Sequence, residues 1–310
     1  MPKLLMTVDD MQDESKWLDL RKLGIGGSDA SVIVGLNNWK SPFQLWLEKT
    51  GKAEPEDISN NEYVYWGKTL ELAVANRFSE LTGKKVQRRG LLQSCEYPFM
   101  LASVDRMVIG ENAGLECKTA NGFAAKAWVD DEVPDAYYCQ CQHYMAVTGY
   151  DRWYIACLIG GNHFVYKCIE RNEDDINALI EAEKKFWHMV EEDIMPEVDG
   201  SKSCSEALAN KFKGGLVDPI NLPSEAETIV ARLDELKTAK KGIEQVIGEN
   251  ENKIREFLGD YEIGLIGDRK ITWKSQAGRV TVDTKRLKIE VPDIYNKYSK
   301  AGAPIRVLKY

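Results

Sequence analysis

Apolar positions along the chain change their period several times, and each change marks an element. Residues 12–22 (QDESKWLDLRK) carry the pattern of a short helix and run into the glycine-rich GIGGSDAS, a loop that opens a further helix through SVIVGL. SPFQLWLEKTG predicts a helix over 41–51 with Ser41 as its cap, Pro42 at its first position and Gly51 at its end. In NNEYVYWGKTLELAVANRFSELTG, Tyr65, Leu72, Ala75, Phe78 and Leu81 fall at helical spacing and the segment ends on Gly83.

The period then shortens. Residues 84–94, 97–110 and 113–120 are rich in strand-favouring types and read as a meander, the last two strands joined by ENAG. A helix over 134–148, two alternating strands over 151–161 and 163–171, and an amphipathic helix over 172–194 complete this part. Gly200 and its neighbouring serines mark a boundary, giving a domain over 1–200, a linker over 201–222 and a C-terminal part over 223–310. That last part opens with Ile229, Leu233, Leu236, Ile243, Ile247, Ile254 and Phe257 in alternating four- and three-residue steps. Lys240 and Asn250 fill the two interrupted seam positions. Such a helix suits a coiled coil or packing on its own domain. A hairpin over 270–285 turning at SQAG, a short helix and a candidate strand over 304–310 follow.

Composition adds limits. With 310 residues, 44% hydrophobic and 29% charged, the chain is large enough for two folding units, and the order of helical and strand periods gives them α+β class. It has no apolar run long enough to cross a bilayer and no signal-peptide pattern, so a cytoplasmic location without membrane contact is expected. Its seven cysteines form no CxxC pair and read as reduced thiols rather than cluster ligands. The net charge of −8 argues against coating of nucleic acid by bulk electrostatics. Charge is uneven: residues 268–310 hold eleven Lys or Arg against four Asp or Glu, a +7 tail on a −15 body, which suits a polyanionic or acidic partner or a solvated basic face.

The chemistry concentrates in the meander. Residues two apart in a strand share a face, so Glu116 and Lys118 of LECKTA stand side by side, and a hairpin brings Asp105 of the preceding strand beside Glu116. Two carboxylates and the backbone carbonyl of Cys117 are suitable ligands for magnesium. An ammonium at Lys118 can orient an attacking water and offset charge on a phosphate. The same D…ExK pattern also arises on a surface strand with an exposed ion pair. Glu71, on a helix, can complete the metal site or remain an exposed carboxylate, and Gln140 with Tyr137 can position the water or phosphate or belong to the core. GIGGSDAS presents backbone amides and Ser28 as a cradle for a terminal phosphate, which Arg21 can clamp. Trp17, Trp39, Trp46 and Trp66 can stack on bases or pack in the core.

Taken in order, LRKLGIGGSDAS, WGKTLE, SVDR, LECKTA and QCQHYMAVTG resemble the phage lambda exonuclease family, in particular its YqaJ-like viral recombinase branch, over roughly residues 12–195. The resemblance implies a restriction-endonuclease-like nuclease core, a mixed central sheet flanked by helices, with a C-terminal helix and small β extension. It also implies a 5′-to-3′ exonuclease on linear double-stranded DNA that leaves 3′ overhangs for a single-strand-annealing protein of the RecT or Red-beta kind. By the same resemblance Asp105, Glu116 and the Cys117 carbonyl bind Mg2+, with Mn2+ as a substitute, and Lys118 assists the nucleophile. Glu71 and Gln140 match further active-site positions, Arg21 and Ser28 match residues holding the 5′ phosphate, and Tyr137 matches by its place near Gln140. A homo-oligomer, a trimeric ring around DNA, and a phage or prophage protein in a bacterial host are implied as well. Two other readings compete: an endonuclease on the same fold, and a non-catalytic adaptor that recruits an annealing protein through the heptad helix and tail.

Overall fold

Every helix that the apolar spacing predicts is present in the computed structural model, which describes residues 2–130, 132–302 and 306–310. After a first strand β1 (Lys3–Met6), α1 (Glu14–Lys22) leads through the short β2 (Ile25–Gly26) into α2 (Gly27–Ile33). α3 (Pro42–Lys49) is capped by Ser41, whose side chain accepts from the Gln44 N–H at 3.1 Å, and it buries Phe43, Leu45, Trp46 and Leu47. α4 (Glu62–Thr82) stops where Gly83 turns left-handed at φ 72°.

The meander is where structure and expectation part. The segment 84–94 forms two strands, β3 (Val86–Gln87) and β4 (Leu91–Gln93), and 97–110 forms two more, β5 (Met100–Ser103) and β6 (Arg106–Val108). These belong to different sheets: β1-β4-β5-β2 in one, and β3-β6 with β7 (Ala113–Ala120), β8 (Arg152–Ile159) and β9 (His163–Glu170) in the other. Asp105 therefore lies in the link between two sheets rather than on a strand. The five-stranded sheet is mixed, with β7 and β8 parallel and its other pairs antiparallel.

A 3-10 segment (Gly122–Trp128) leads to α5 (Asp135–Thr148), which is buried almost along its length and closed by Gly149 at φ 72°. α6 (Glu173–Glu191) turns a stripe of Ile176, Leu179, Ile180 and Phe186 inward. Fully buried His143 of α5 places Nδ1 2.8 Å from Glu183 of α6 and Nε2 2.9 Å from the Leu101 carbonyl oxygen, tying both helices to β5. Residues expected to begin a linker instead form α7 (Lys202–Lys211), which buries Cys204 and Ala207 in the same apolar cluster as the α3 side chains. The first compact unit accordingly runs from Met1 to Lys213.

The second unit, Gly214–Tyr310, holds α8 (Glu225–Leu258), the hairpin β10 (Ile263–Ile266) and β11 (Arg269–Thr272), α9 (Thr284–Glu290) and α10 (Pro292–Tyr298). The hairpin turns at Gly267–Asp268, not at SQAG. Gly267 takes φ 55° at the first turn position, a conformation the serine and glutamine of SQAG disfavour. Pro304 and Ile305 of the expected last strand lie outside the described residues, and 306–310 form no strand. Among the described residues no helix is long and apolar enough to cross a membrane.

Candidate active site

β7 organises the site. Its alternation sends Leu115 and Cys117 into the cluster built on α4, leaving Glu116 and Lys118 to face α5. Antiparallel pairing of β6 and β7 sets Arg106 opposite Leu115, so Asp105, one residue earlier, comes beside Glu116. The Asp105 Oδ2 accepts from the Cys117 backbone N–H at 2.7 Å.

The expected trio is thus assembled together with Gln140. Lys118 Nζ donates to Glu116 Oε1 at 2.6 Å and to Gln140 Oε1 at 3.0 Å. The Gln140 amide donates to Glu116 Oε1 and to the Tyr144 hydroxyl, each at 2.8 Å, and Tyr144 donates onward to the Ser103 carbonyl at 2.9 Å. Tyr137 enters as an aromatic face, with Lys118 Nζ 4.6 Å from its ring centroid. Glu71 arrives on α4, but its carboxylate is held by buried Arg106.

Burial, then Glu116 and Glu71, push the Asp105 carboxyl well above the usual range. Burial works against the Lys118 ammonium, yet Glu116 and Asp105 outweigh it and raise its pKa. Glu116 is 4% exposed and its Oε2 is buried with no hydrogen-bond partner among the described residues. An unpartnered carboxylate oxygen beside a second, charge-crowded carboxyl is a donor set of hard oxygens that a divalent cation fits. Among the described residues no three Cys, His, Asp or Glu side chains form a ready metal cluster.

The glycine-rich segment comes to the same place through β2, which pairs in parallel with β5 as Ile25 with Met100 and Gly26 with Leu101. Arg21 donates through Nη2 to Ser28 Oγ at 2.9 Å, and its guanidinium lies 5.0 Å from the Trp17 ring centroid. Asp29 braces this loop: its Oδ2 accepts from the Gly26 N–H at 3.0 Å and sits 2.8 Å from buried Lys49 Nζ. Lys49 in turn donates to the carbonyls of Arg21 and Gly24. Burial alone would raise the Asp29 carboxyl, but Lys49 and Arg21 hold it far below the ordinary value. A pocket of about 200 Å³ joins Arg21 and Ser28 to Asp105, Glu116 and Gln140.

Four members of this arrangement escape sequence reasoning: Arg106, Tyr144, Asp29 and Lys49. Tyr144 had a usable signal, since it follows Gln140 by one helical turn. Lys49 had none, because nothing local distinguishes it from a surface lysine closing α3. Of the tryptophans, Trp46 is core at 2% exposure, Trp17 flanks Arg21, and Trp39 and Trp66 lie open to solvent.

Comparison with known proteins locates this architecture. The YqaJ-like viral recombinase domain matches residues 16–151. The uncharacterized protein YqaJ of Bacillus subtilis (strain 168) is 41% identical over 290 residues, spanning 92% of this chain and 90% of its own. Among solved structures, the alkaline exonuclease LHK-Exo of Laribacter hongkongensis is similar at TM-score 0.51 and 18% identity, over 58% of this chain and 94% of that one. Its complex with dAMP matches at TM-score 0.50 and 19% identity, over 64% and 97%. The likeness to LHK-Exo is one of fold, the mixed α+β architecture of restriction-endonuclease-like nucleases.

Proposed function

Because the chain belongs to the YqaJ-like viral recombinase family, we propose that it is a magnesium-dependent exonuclease that degrades the 5′-ended strand of linear duplex DNA. The observation that carries this reading is the single pocket shared by Arg21, Ser28, Asp105, Glu116 and Gln140. It puts an anion clamp and a hydrolytic carboxylate pair within reach of one nucleotide. LHK-Exo, which shares the fold, is an alkaline exonuclease with a structure holding dAMP, and a mononucleotide product accords with end-directed cutting.

Asp105, Glu116 and the Cys117 carbonyl would hold Mg2+, with Mn2+ as a substitute. The bound ion would supply Lewis-acid polarisation of the scissile phosphodiester. Lys118, fixed by Glu116 and Gln140, orients the attacking water and offsets negative charge as it grows on the phosphate. Gln140 is held from behind by Tyr144, so its amide keeps Glu116 Oε1 occupied and leaves Oε2 for a ligand. Arg21 and Ser28 take the terminal phosphate and set which bond lies over the carboxylates. Glu71 supports the carboxylate pair through Arg106, which also donates to the Asp105 carbonyl at 2.6 Å. A 3′ overhang left in this way would serve an annealing protein of the RecT or Red-beta kind in the bacterial cytoplasm. A ring-shaped homo-oligomer would keep an acidic chain on DNA.

Digestion of linear duplexes bearing 5′ phosphate, 5′ hydroxyl or blocked ends, beside closed circular DNA and with or without EDTA, tests the proposal. The expected result is metal-dependent loss of the 5′-phosphorylated strand and no cutting of circles. Cutting of circles would favour an endonuclease. Absence of hydrolysis under every metal tried would favour an adaptor.

A further inference from the structure

The second unit contains a surface that the nuclease reading does not use. α8 spans 34 residues, about 50 Å at helical rise, and buries only Leu258. Ile229, Leu236, Ile243, Ile247 and Phe257 of its seam are each about half exposed or more. Gly242 and Gly248 lie in its interior, each costing about 1 kcal/mol against alanine. A helix of this composition gains too little from propensity to stand alone, and helices of this kind are held by packing an apolar face.

We propose that the occupant of this face is α8 of a second copy of the chain, running antiparallel. In the heptad frame, Leu233, Lys240, Ile247 and Ile254 take the a positions, and Ile229, Leu236, Ile243, Asn250 and Phe257 take the d positions. An antiparallel pair stacks each a residue on a d residue of its mate. One register, centred on Gln245, matches by kind every layer from Leu233 to Phe257 and leaves Ile229 beyond the paired stretch. It puts Leu233 on Phe257, Leu236 on Ile254, Ile243 on Ile247, and the two polar positions, Lys240 and Asn250, on each other. The ammonium can then donate to the amide oxygen, so neither polar group is stranded in the seam.

Charge selects the same register. Flanking positions bring Lys237 against Glu251 of the other copy, twice by symmetry, and Val246 against itself. Within its own chain Lys237 Nζ lies 3.4 Å from the Tyr310 ring centroid, and Glu251 makes an exposed pair with Arg255 at 2.9 Å. The one like-charged approach, Glu244 on its copy, sits beside Lys240, whose Nζ is 3.7 Å from Glu244 Oε1. A parallel pair in register fares worse on every count. It stacks Lys240 on Lys240 and sets Arg232 against Lys237, with no opposite charges across the seam. The pairing is binary, so it requires an even number of chains per particle whatever assembly the first unit makes.

Zero-length carbodiimide cross-linking of the full chain, with peptide mapping and mass measurement by light scattering, tests this. Lys237 and Glu251 of one helix are about 21 Å apart, so a direct link between them forms only between antiparallel copies. The expected result is that link in a particle with an even number of chains. Lys237→Glu should weaken pairing about tenfold, and adding Glu251→Lys should restore it, with helicity unchanged throughout. A particle with an odd number of chains, absence of the Lys237–Glu251 link, or failure of the charge swap to restore pairing overturns the proposal. So does seam-dependent capture of a different protein by a chain that stays unpaired.

Discussion

Lys118 and Asp29 each belong to a lysine–carboxylate ion pair next to residues that line the pocket, but they do opposite things. Lys118 faces α5, and its partners Glu116 and Gln140 fix its direction. Lys118→Ala should lower the rate of duplex hydrolysis about 10²–10³-fold while leaving binding of a 5′-phosphorylated end in place. Single-turnover kinetics beside an equilibrium binding assay would separate the two, and equal loss of both would make Lys118 a binding group. Asp29 faces inward and holds Lys49, which anchors the Arg21 loop. Asp29→Asn leaves a buried ammonium without its counter-charge and should cost about 3–5 kcal/mol in urea denaturation. The sign with pH follows from the depressed Asp29 carboxyl. Its contribution is fully present above the ordinary value near 3.8 and is lost as pH falls through the lower folded-state value. Wild type should therefore lose in that acid window a stability increment that the Asn variant never has. Sequence reasoning found the outward-facing residues because their chemistry needs particular types at strand spacing. It missed Asp29 and Lys49 because their partnership spans twenty residues and rests on burial, which no local pattern encodes.

At the scale of elements, the site exists because two sheets share one chain crossing. β5 ends at Ser103 and β6 begins at Arg106, and the carboxylate of Asp105 is presented at that break. Apolar, strand-favouring residues lie on both sides of Ser103–Arg106, which is why 97–110 reads as one strand; the change of sheet is decided by which neighbours each half finds. Helix ends were legible for the opposite reason: Ser41 and Pro42 at the start of α3, and Gly83 and Gly149 at the ends of α4 and α5, act locally. The contact of α2 with α5 ties the glycine-rich loop to the carboxylates, and Gly27 packs against Tyr144 and Gln140 there. A Cβ there would lie 2.5 Å from a Tyr144 ring carbon and 3.1 Å from Gln140 Cγ. Gly27→Ala should thus push α2 away from Gln140, costing about 1–3 kcal/mol and lowering the hydrolysis rate more than Gly242→Ala on exposed α8. Thermal melts and rates for the two variants side by side would check this, and equal effects would place the loop outside the site.

For the molecule as a whole, the division of apolar burial predicts which half can stand alone. Among the described residues, all five buried apolar clusters are built from residues no later than Leu208, whereas the second unit buries the single large apolar side chain Leu258. Removing residues 214–310 takes nothing from those clusters, from the His143–Glu183 tie or from the pocket. A chain of residues 1–213 should consequently unfold in one cooperative transition within a few degrees of the full-length first unit. It should also cut linear duplex DNA at a comparable rate per chain at low salt. Two properties should go with the tail. The first is α8 pairing, read as the loss of the even-numbered particle. The second is whatever DNA affinity the +7 segment contributes, read as a shallower dependence of binding on salt. A truncated chain that fails to fold would mean that the first unit draws stability from the second. A chain that folds but cuts only when α8 is restored would make the pairing part of the catalytic assembly rather than an addition to it.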